Sequence, residues 1–254
     1  MTTKVNSIKT NICEEVPVDL YLNGRKMLTF MCTSSNFKEL AAGYLYSRRL
    51  INKLEDIQAL AACEDMRKMY VKINGDIPET EFSLTGVLSS GCGSGSPYDE
   101  NALLSIKNNS NFSIGIDKLK ELSVEMFSKA ILYKTMGGLH CSCLADDNGI
   151  QALKEDIGRH NAVDKAIGKG LFLGLNFSNM AILTTGRISS DMLLKAAVSG
   201  FPIVVSRSIP SNLAVDMAKK MGITMVGRVM MSNPIVYSHS HRIEGYEESG
   251  DGEC

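Results

Sequence analysis

The sequence predicts an α/β protein in which a three-layer α/β domain follows a smaller α+β unit. The first observation is a run between residues 180 and 227 whose hydrophobic period switches repeatedly. "MAILTT", "SSDMLLKAAVSG", "FPIVVS", "SNLAVDMAKKMG" and "ITMVG" read as strand, helix, strand, helix and strand. A βαβαβ run builds a layered domain with at least partly parallel strands. The second is the different texture of the first half, where a hairpin, one amphipathic helix and a further strand are legible. The third is the polar stretch "YDENALLSIKNNSNFSIGID" between them, which places a boundary near residue 114 and gives units of 1–114 and 115–254. With 44% hydrophobic and 22% charged residues, the 254-residue chain can bury the cores this requires.

Taken in order, "PVDLYLNGRKMLTFMC" gives two β-prone runs around Asn23-Gly24, the dipeptide suited to a type I′ turn because both central positions need positive φ. In "SSNFKELAAGYLYSRRLI", Asn36 can cap a helix with Glu39 three residues on, and Leu40, Tyr44 and Leu45 recur at helical spacing. Residues 69–73 form a strand candidate. Beyond the boundary, "DKLKELSVEMFSKAILYK" reads as one helix and "KEDIGRHNAVDKAIG" as a helix opening on a glycine.

Charge and cysteine content exclude several function classes. The 27 Lys+Arg nearly cancel the 28 Asp+Glu, and the chain lacks the basic footprint that duplex nucleic acid requires, so any nucleotide it binds is small. No apolar run approaches the roughly 18 residues of a membrane span, and the amino end has no apolar h-region. A cytoplasmic protein is expected, with its seven cysteines as reduced thiols.

Two places look built for chemistry. In open α/β sheets ligands sit beyond the carboxyl ends of strands, at helix N-termini. After the strand near 180–185 come Gly186, Arg187, Ser189 and Ser190; after the strand near 202–206 come Arg207, Ser208, Pro210 and Ser211. Either Ser189 and Ser211 cap helices beside solvated arginines, or the two N-termini bind phosphate or pyrophosphate. In "KEDIGRHNAVDK", Arg159, His160, Asn161, Asp164 and Lys165 cluster at a helix start, and the spacing of four lets Asp164 orient the His160 imidazole. "TMGGLHCSCLAD" raises the question of zinc. Its Cys141 and Cys143 miss the usual Cys-x(2–4)-Cys spacing, and the H-x-E and P-C-x-x-C elements of a zinc deaminase do not occur, so small strand residues are expected and no metal.

The second place is "SSGCGSGS" at residues 89–96, where Cys92 has only Gly and Ser around it. A core cysteine sits among apolar neighbours, whereas consecutive loop N–H groups can stabilise a thiolate. Gly95 stands where a Cys-x-x-Cys cycle would need its second thiol. One thiolate still suffices to accept a sulfane sulfur and pass it on.

Together "EEVPVDLYLNG", "KELAAGYLYSRRLI", "GCGSGS", "GGLHCSCL", "EDIGRHNAVDKAIG", "TTGRISSDMLLKAAVSGFPIVVSRSIPSNLAVDMA" and "TMVGRVMMSNPIVYSHSHRI" make the chain resemble the formate dehydrogenase accessory sulfurtransferase family, FdhD. The resemblance implies a small amino-terminal domain and a cytidine-deaminase-like α/β domain. It implies a cytoplasmic homodimer that takes sulfur from a cysteine desulfurase as a persulfide on Cys92. The acceptor would be the molybdenum bis(molybdopterin guanine dinucleotide) cofactor of formate dehydrogenase, whose catalytic subunit would be a partner. The cofactor-binding loop falls on Arg228, Val229, Met230, Met231, Ser232 and Asn233, with Arg159, His160 and Arg187 expected at the guanine nucleotide ends and pyrophosphates. This chain departs from relatives at Gly95, where many carry a second cysteine, and at Met230, Met231 and Asn233, where some carry Pro, Gly and a basic residue. A chaperone that holds the cofactor without covalent sulfur chemistry is the competing reading.

Overall fold

Two sheets, with helices between and around them, carry the structure, a computed structural model that describes residues 12–75, 77, 87–88 and 106–247. Strands β1 (Val16–Leu22) and β2 (Arg25–Cys32) form the antiparallel hairpin around Asn23-Gly24. Asn23 at φ 49° and Gly24 at φ 83° supply the left-handed pair that the turn needs. β4 (Lys68–Ile73) lies parallel to β1, β3 (Ile57–Cys63) pairs antiparallel on its outer edge, and β5 (Val87–Leu88) runs parallel to β2, giving the order β3-β4-β1-β2-β5. β3 escapes sequence reading because it is an edge strand with no fully buried residue and an irregular register between Ile57 and Ala59, so "IQALAAC" shows no clean alternation.

Helix α1 (Phe37–Ser47) buries Phe37, Leu40, Tyr44 and Leu45 against this sheet, but its predicted capping box does not form. Asn36 is left-handed at φ 59°, its side-chain oxygen accepts from Lys154 Nζ, and the same ammonium pairs with Glu39 at 3.1 Å. A lysine from a distant strand draws both halves of the box to itself.

The single helix expected after residue 116 is two, α2 (Ile116–Lys129) and α3 (Ile131–Met136), broken at the buried Ala130 with φ −75° and ψ 84°. Glu155 explains the break: its carboxylate accepts the N–H groups of Leu132 at 3.2 Å and Tyr133 at 2.6 Å, an anionic cap on a fresh helix start.

The second sheet has the order β12-β11-β10-β9-β7-β8. The expected βαβαβ run is present as β9 (Ala181–Thr184), α5 (Ser190–Ser199), β10 (Ile203–Ser206), α6 (Asn212–Met221) and β11 (Thr224–Gly227), with its three strands parallel. β7 (His140–Asp146) and β12 (Ile235–Ser238) flank them antiparallel, and β8 (Gly149–Asp156) pairs with β7 before α4 (Arg159–Phe172). Leu144, Ile182, Val204 and Met225 face a core built with Val163, Ile167, Leu193 and Ala218 of α4, α5 and α6. Cys141, Cys143, Leu183, Ile203, Val205 and Val226 face the opposite way, onto Leu119, Leu122 and Met126 of α2. These are the three predicted layers, and both cysteines are buried strand residues whose thiols burial pushes up.

The stretch at 106–113 has no regular structure, bonds to Ser178, Gly200 and Met221 just ahead of β9, β10 and β11, and is held by Arg242, which donates to the carbonyls of Asn108, Ser110 and Gly222 at 3.3, 3.0 and 2.9 Å. A short parallel pair, β6 (Ile114–Gly115) with β13 (Ile243–Glu244), closes the far edge. Among the described residues no helix is long and apolar enough to cross a membrane.

Candidate functional site

Helix α4 links the two sheets, and its sequence shows how. A Cβ on Gly43 of α1 would lie 1.8 Å from the Asp164 carbonyl oxygen, and one on Gly168 of α4 would lie 1.9 Å from that of Glu39. The helices therefore cross backbone to backbone, which only glycine at both positions permits.

Two buried ion pairs brace this crossing. Lys165 and Asp156, both 0% exposed, meet at 2.5 Å. Asp156 also accepts from Thr33 N–H at 3.1 Å, Thr33 Oγ1 at 2.9 Å, Gly158 N–H at 2.8 Å and Asn161 Nδ2 at 3.1 Å, and Asn161 reaches the Met31 carbonyl at 2.8 Å. The end of β2 is thus fastened to the start of α4. In the second pair Lys195 of α5 donates to both Asp164 oxygens at 2.9 and 2.8 Å, and Ser47 of α1 donates to the same carboxylate at 3.0 Å. Sequence reading missed Thr33, Asp156 and Lys195 as members of this assembly. An acid closing a strand just before the Gly158 helix start was the one available signal.

The carboxylate proposed to orient His160 is therefore occupied. Asp164 serves Lys195 and Ser47, and neither His160 ring nitrogen finds a hydrogen-bond partner among the described residues although the residue is only 7% exposed. Burial, reinforced by the charges of Lys195, Arg159 and His140, pushes its pKa down to about 3, so the imidazole is neutral at pH 7. Arg159 Nε and Ser189 Oγ are likewise buried without partners among the described residues. Ser189 occupies the N-cap position of α5 without making the cap bond, whereas Ser211 does cap α6, accepting from Ala214 N–H at 3.2 Å.

Arg159 and Ser189 lie at the carboxyl end of β9. A Cβ on Gly186 would lie 3.0 Å from Arg159 Cβ, so the glycine lets the arginine lie against the backbone there. Thr185 Oγ1 accepts from Cys141 N–H at 3.1 Å and lies 3.3 Å from His140 Nδ1. Burial and the Arg159 charge lower the His140 pKa against the opposing pull of Asp156. The rim continues through Ser206, which donates to the Gly186 carbonyl at 2.6 Å and whose own carbonyl accepts from Val229 N–H at 3.2 Å, while Arg228 N–H donates to the Ser208 carbonyl at 2.9 Å.

The expected site residues distribute along this rim. Arg159 and His160 stand at one end; Arg228, at φ 52°, with Met230, Met231, Ser232 and Asn233 forms an exposed loop at the other, and Arg187 is exposed between them. Val229 differs: its side chain is buried in the core beside Val226, leaving only its backbone at the loop. Arg207 turns away, 2.9 Å from the Tyr133 hydroxyl and over the Phe127 ring. Cys92 and Gly95 lie outside the described residues. Among the described residues no group of three His, Cys, Asp or Glu is placed to hold a metal ion, and His239 and His241 stand as an exposed perpendicular pair of rings.

Fold and rim together define an α/β protein with a layered domain whose polar residues line the carboxyl ends of its parallel strands. A solved structure from Desulfotalea psychrophila, described as a formate dehydrogenase accessory protein, superimposes with a TM-score of 0.74 over 91% of this chain and 90% of its own, at 28% identity. Residues 13–244 match the sequence model of the FdhD/NarQ family, and the chain belongs to that family. Its relatives include proteins named sulfur carrier protein FdhD from Bacillus subtilis, 31% identical over 94% of this chain and 93% of that protein, and from Staphylococcus haemolyticus, 30% identical over 92% and 89%.

Proposed function

We propose that this protein is a sulfurtransferase that carries sulfur as a persulfide on Cys92 and delivers it to molybdenum bis(molybdopterin guanine dinucleotide), its acceptor substrate, for formate dehydrogenase. The observation that carries this reading is the family match across residues 13–244, which spans Cys92 and the whole rim. A cysteine desulfurase is the donor: the Cys92 thiolate attacks the sulfane sulfur of its persulfide, the donor's S–S bond breaks, and its thiolate leaves. The acceptor's guanine nucleotide ends and pyrophosphates lie along the rim, at Arg159, His160, Arg187 and the loop of residues 228–233. Arginines suit that task because their paired donors match phosphate oxygens. The protein works in the cytoplasm as a homodimer and meets the catalytic subunit of formate dehydrogenase. Its first 114 residues form the unit that bears the sulfur, and the remainder the unit that binds the nucleotide.

The test is intact-protein mass spectrometry under non-reducing conditions after incubation with a cysteine desulfurase and cysteine. Wild type gains one reductant-sensitive sulfur atom and Cys92→Ala gains none. Equal gain by both proteins, or none by either, refutes the carrier role and leaves the non-covalent chaperone.

A further inference from the structure

We infer that the open edge of the first sheet is a docking strand for an extended, acidic segment of a partner protein. The segment pairs with β3, sets one large apolar side chain in the cavity beside it and places carboxylates against Lys68 and Lys72. The inference goes beyond the sulfur-carrier reading and does not rest on it.

The edge is the first observation. β3 ends the sheet order β3-β4-β1-β2-β5, and among the described residues its segment 58–63 makes no backbone hydrogen bond outside the sheet. An outer strand presents a row of unpaired N–H and C=O groups, and proteins that keep such an edge to themselves guard it with Lys, Pro or an inward-pointing charge. The strand "IQALAAC" has no charged residue and no proline. Its register irregularity lies between Ile57 and Ala59, which leaves residues 59–63 as a regular template.

The second observation is a cavity of about 270 Å³ on the sheet face opposite the core, lined in part by Tyr21, Tyr70, Ala59, Ala61 and Lys72. Small-molecule sites run from about 300 to 1,000 Å³, so this one is scaled to a single side chain. Tyr70, 40% exposed, stacks on Tyr21 with ring centroids 5.0 Å apart and forms a preset wall. Ala59 and Ala61 are the outward residues of β3 here, so no tall side chain stands between the edge and that wall. A large apolar residue on a strand about 4.8 Å outside β3 reaches across them into the cavity.

Charge selects the occupant. The register sets Cys63 beside Lys68, Ala61 beside Tyr70 and Ala59 beside Lys72, so a cation, an aromatic ring and a second cation follow one another behind the edge. Asp19, the one carboxylate that β1 to β4 carry on this face, is already held by Lys26 at 2.7 Å and by Thr29 at 2.6 Å. Lys68 rests 5.8 Å from the centre of the Tyr21 ring, and neither it nor Lys72 forms an ion pair among the described residues. The matching strand therefore alternates acidic, apolar and acidic residues on one face. Nucleic acid makes no use of an unpaired strand edge, and the chain as a whole has no basic excess to attract it. A second copy would set its own lysines against these.

Fluorescence anisotropy of a labelled, capped peptide tests the inference on the full chain. The peptide carries Glu, Phe and Glu at alternate positions, with Val and Thr between them. Saturable binding is expected. Phe→Ala in the peptide should weaken it by about tenfold or more, and Gln in place of both Glu by about fivefold, the second loss shrinking as salt is added. Ala61→Lys should weaken binding by at least about tenfold with an unchanged melting curve, because the position is exposed. The double variant Lys68→Glu/Lys72→Glu should lose the acidic peptide and gain one with Lys at both acidic positions. Bound peptide should also slow amide hydrogen exchange within residues 59–63. Absence of saturable binding overturns the inference, as does equal binding by Ala61→Lys or a charge reversal that leaves peptide preference unchanged. An oligothymidylate that binds more tightly than the peptide and displaces it overturns it in favour of nucleic acid. A wild-type oligomer that Ala61→Lys dissociates in sedimentation overturns it in favour of a second copy.

Discussion

Replacing Lys165 by Met tests the brace between the two sheets, because methionine nearly conserves volume and removes only the ammonium. Asp156 would then keep four donors, from Thr33 N–H and Oγ1, Gly158 N–H and Asn161 Nδ2, but no countercharge at 0% exposure. Removing one member of a buried pair costs roughly 3–5 kcal/mol because the other charge stays buried and uncompensated. For a chain of this size each kcal/mol moves the midpoint by about 2–4 °C, so a fall in Tm of roughly 6–20 °C is expected. The measurement is urea denaturation and thermal unfolding of wild type, Lys165→Met and the double variant Asp156→Asn/Lys165→Met. The double variant should recover part of the loss, since asparagine removes the uncompensated charge although its single oxygen can accept only on the Thr33 side or on the Gly158 and Asn161 side. A single variant within about 1 kcal/mol of wild type, or a double variant worse than the single, would show that the pair is not the fastening the structure describes.

Three further outcomes follow from the same geometry. His160, with its pKa lowered from 6.5 to about 3, binds no proton in the folded protein where the unfolded chain does, so stability falls as pH drops below 6.5, by about 1.4 kcal/mol per unit until near pH 3. Denaturation curves between pH 7 and 5 should therefore show a slope that His160→Asn reduces; identical slopes contradict the assignment. Gly168→Ala should lose about 2 kcal/mol or more in urea denaturation, because a Cβ 1.9 Å from the Glu39 carbonyl oxygen outweighs the roughly 1 kcal/mol of helix propensity gained. A neutral result would place the helix crossing elsewhere. Arg187→Ala should weaken guanosine diphosphate by about tenfold and flatten its salt dependence with the melting curve unchanged, since the side chain is exposed; unchanged affinity would remove Arg187 from the rim.

Much of the fold is legible because local pattern and global arrangement agree. The βαβαβ run could be read since its strands are buried on both faces and its helices on one, so the period changes at each junction. The hairpin could be read because Asn23-Gly24 leaves few alternatives. The misreadings share one cause. Asn36 and Glu39 look like a capping box until Lys154 arrives from β8, and residues 117–134 look like one helix until Glu155, from the same strand, caps a second one at Leu132 and Tyr133. A charge far away in sequence outcompetes a local hydrogen bond worth about 1 kcal/mol, and no window of neighbouring residues contains it.

The site shows the same competition with a functional consequence. "GRHNAVDK" is recognisable as chemistry, and a spacing of four makes Asp164 the natural partner of His160. In the fold Asp164 is buried, where a carboxylate needs a full countercharge, and neutral imidazole cannot supply one. Lys195 can, from a helix that sequence places thirty-one residues away, and it takes the carboxylate with Ser47 in support. Burial, reinforced by the ammonium that wins this contest, keeps His160 unprotonated. An aspartate bound to His160 would have satisfied one ring nitrogen and favoured the charged imidazolium. With the aspartate engaged elsewhere, both His160 ring nitrogens are left buried without a partner among the described residues. The failed local rule at Asp164 is thus the physical reason that hydrogen-bonding capacity stays unspent at the start of α4.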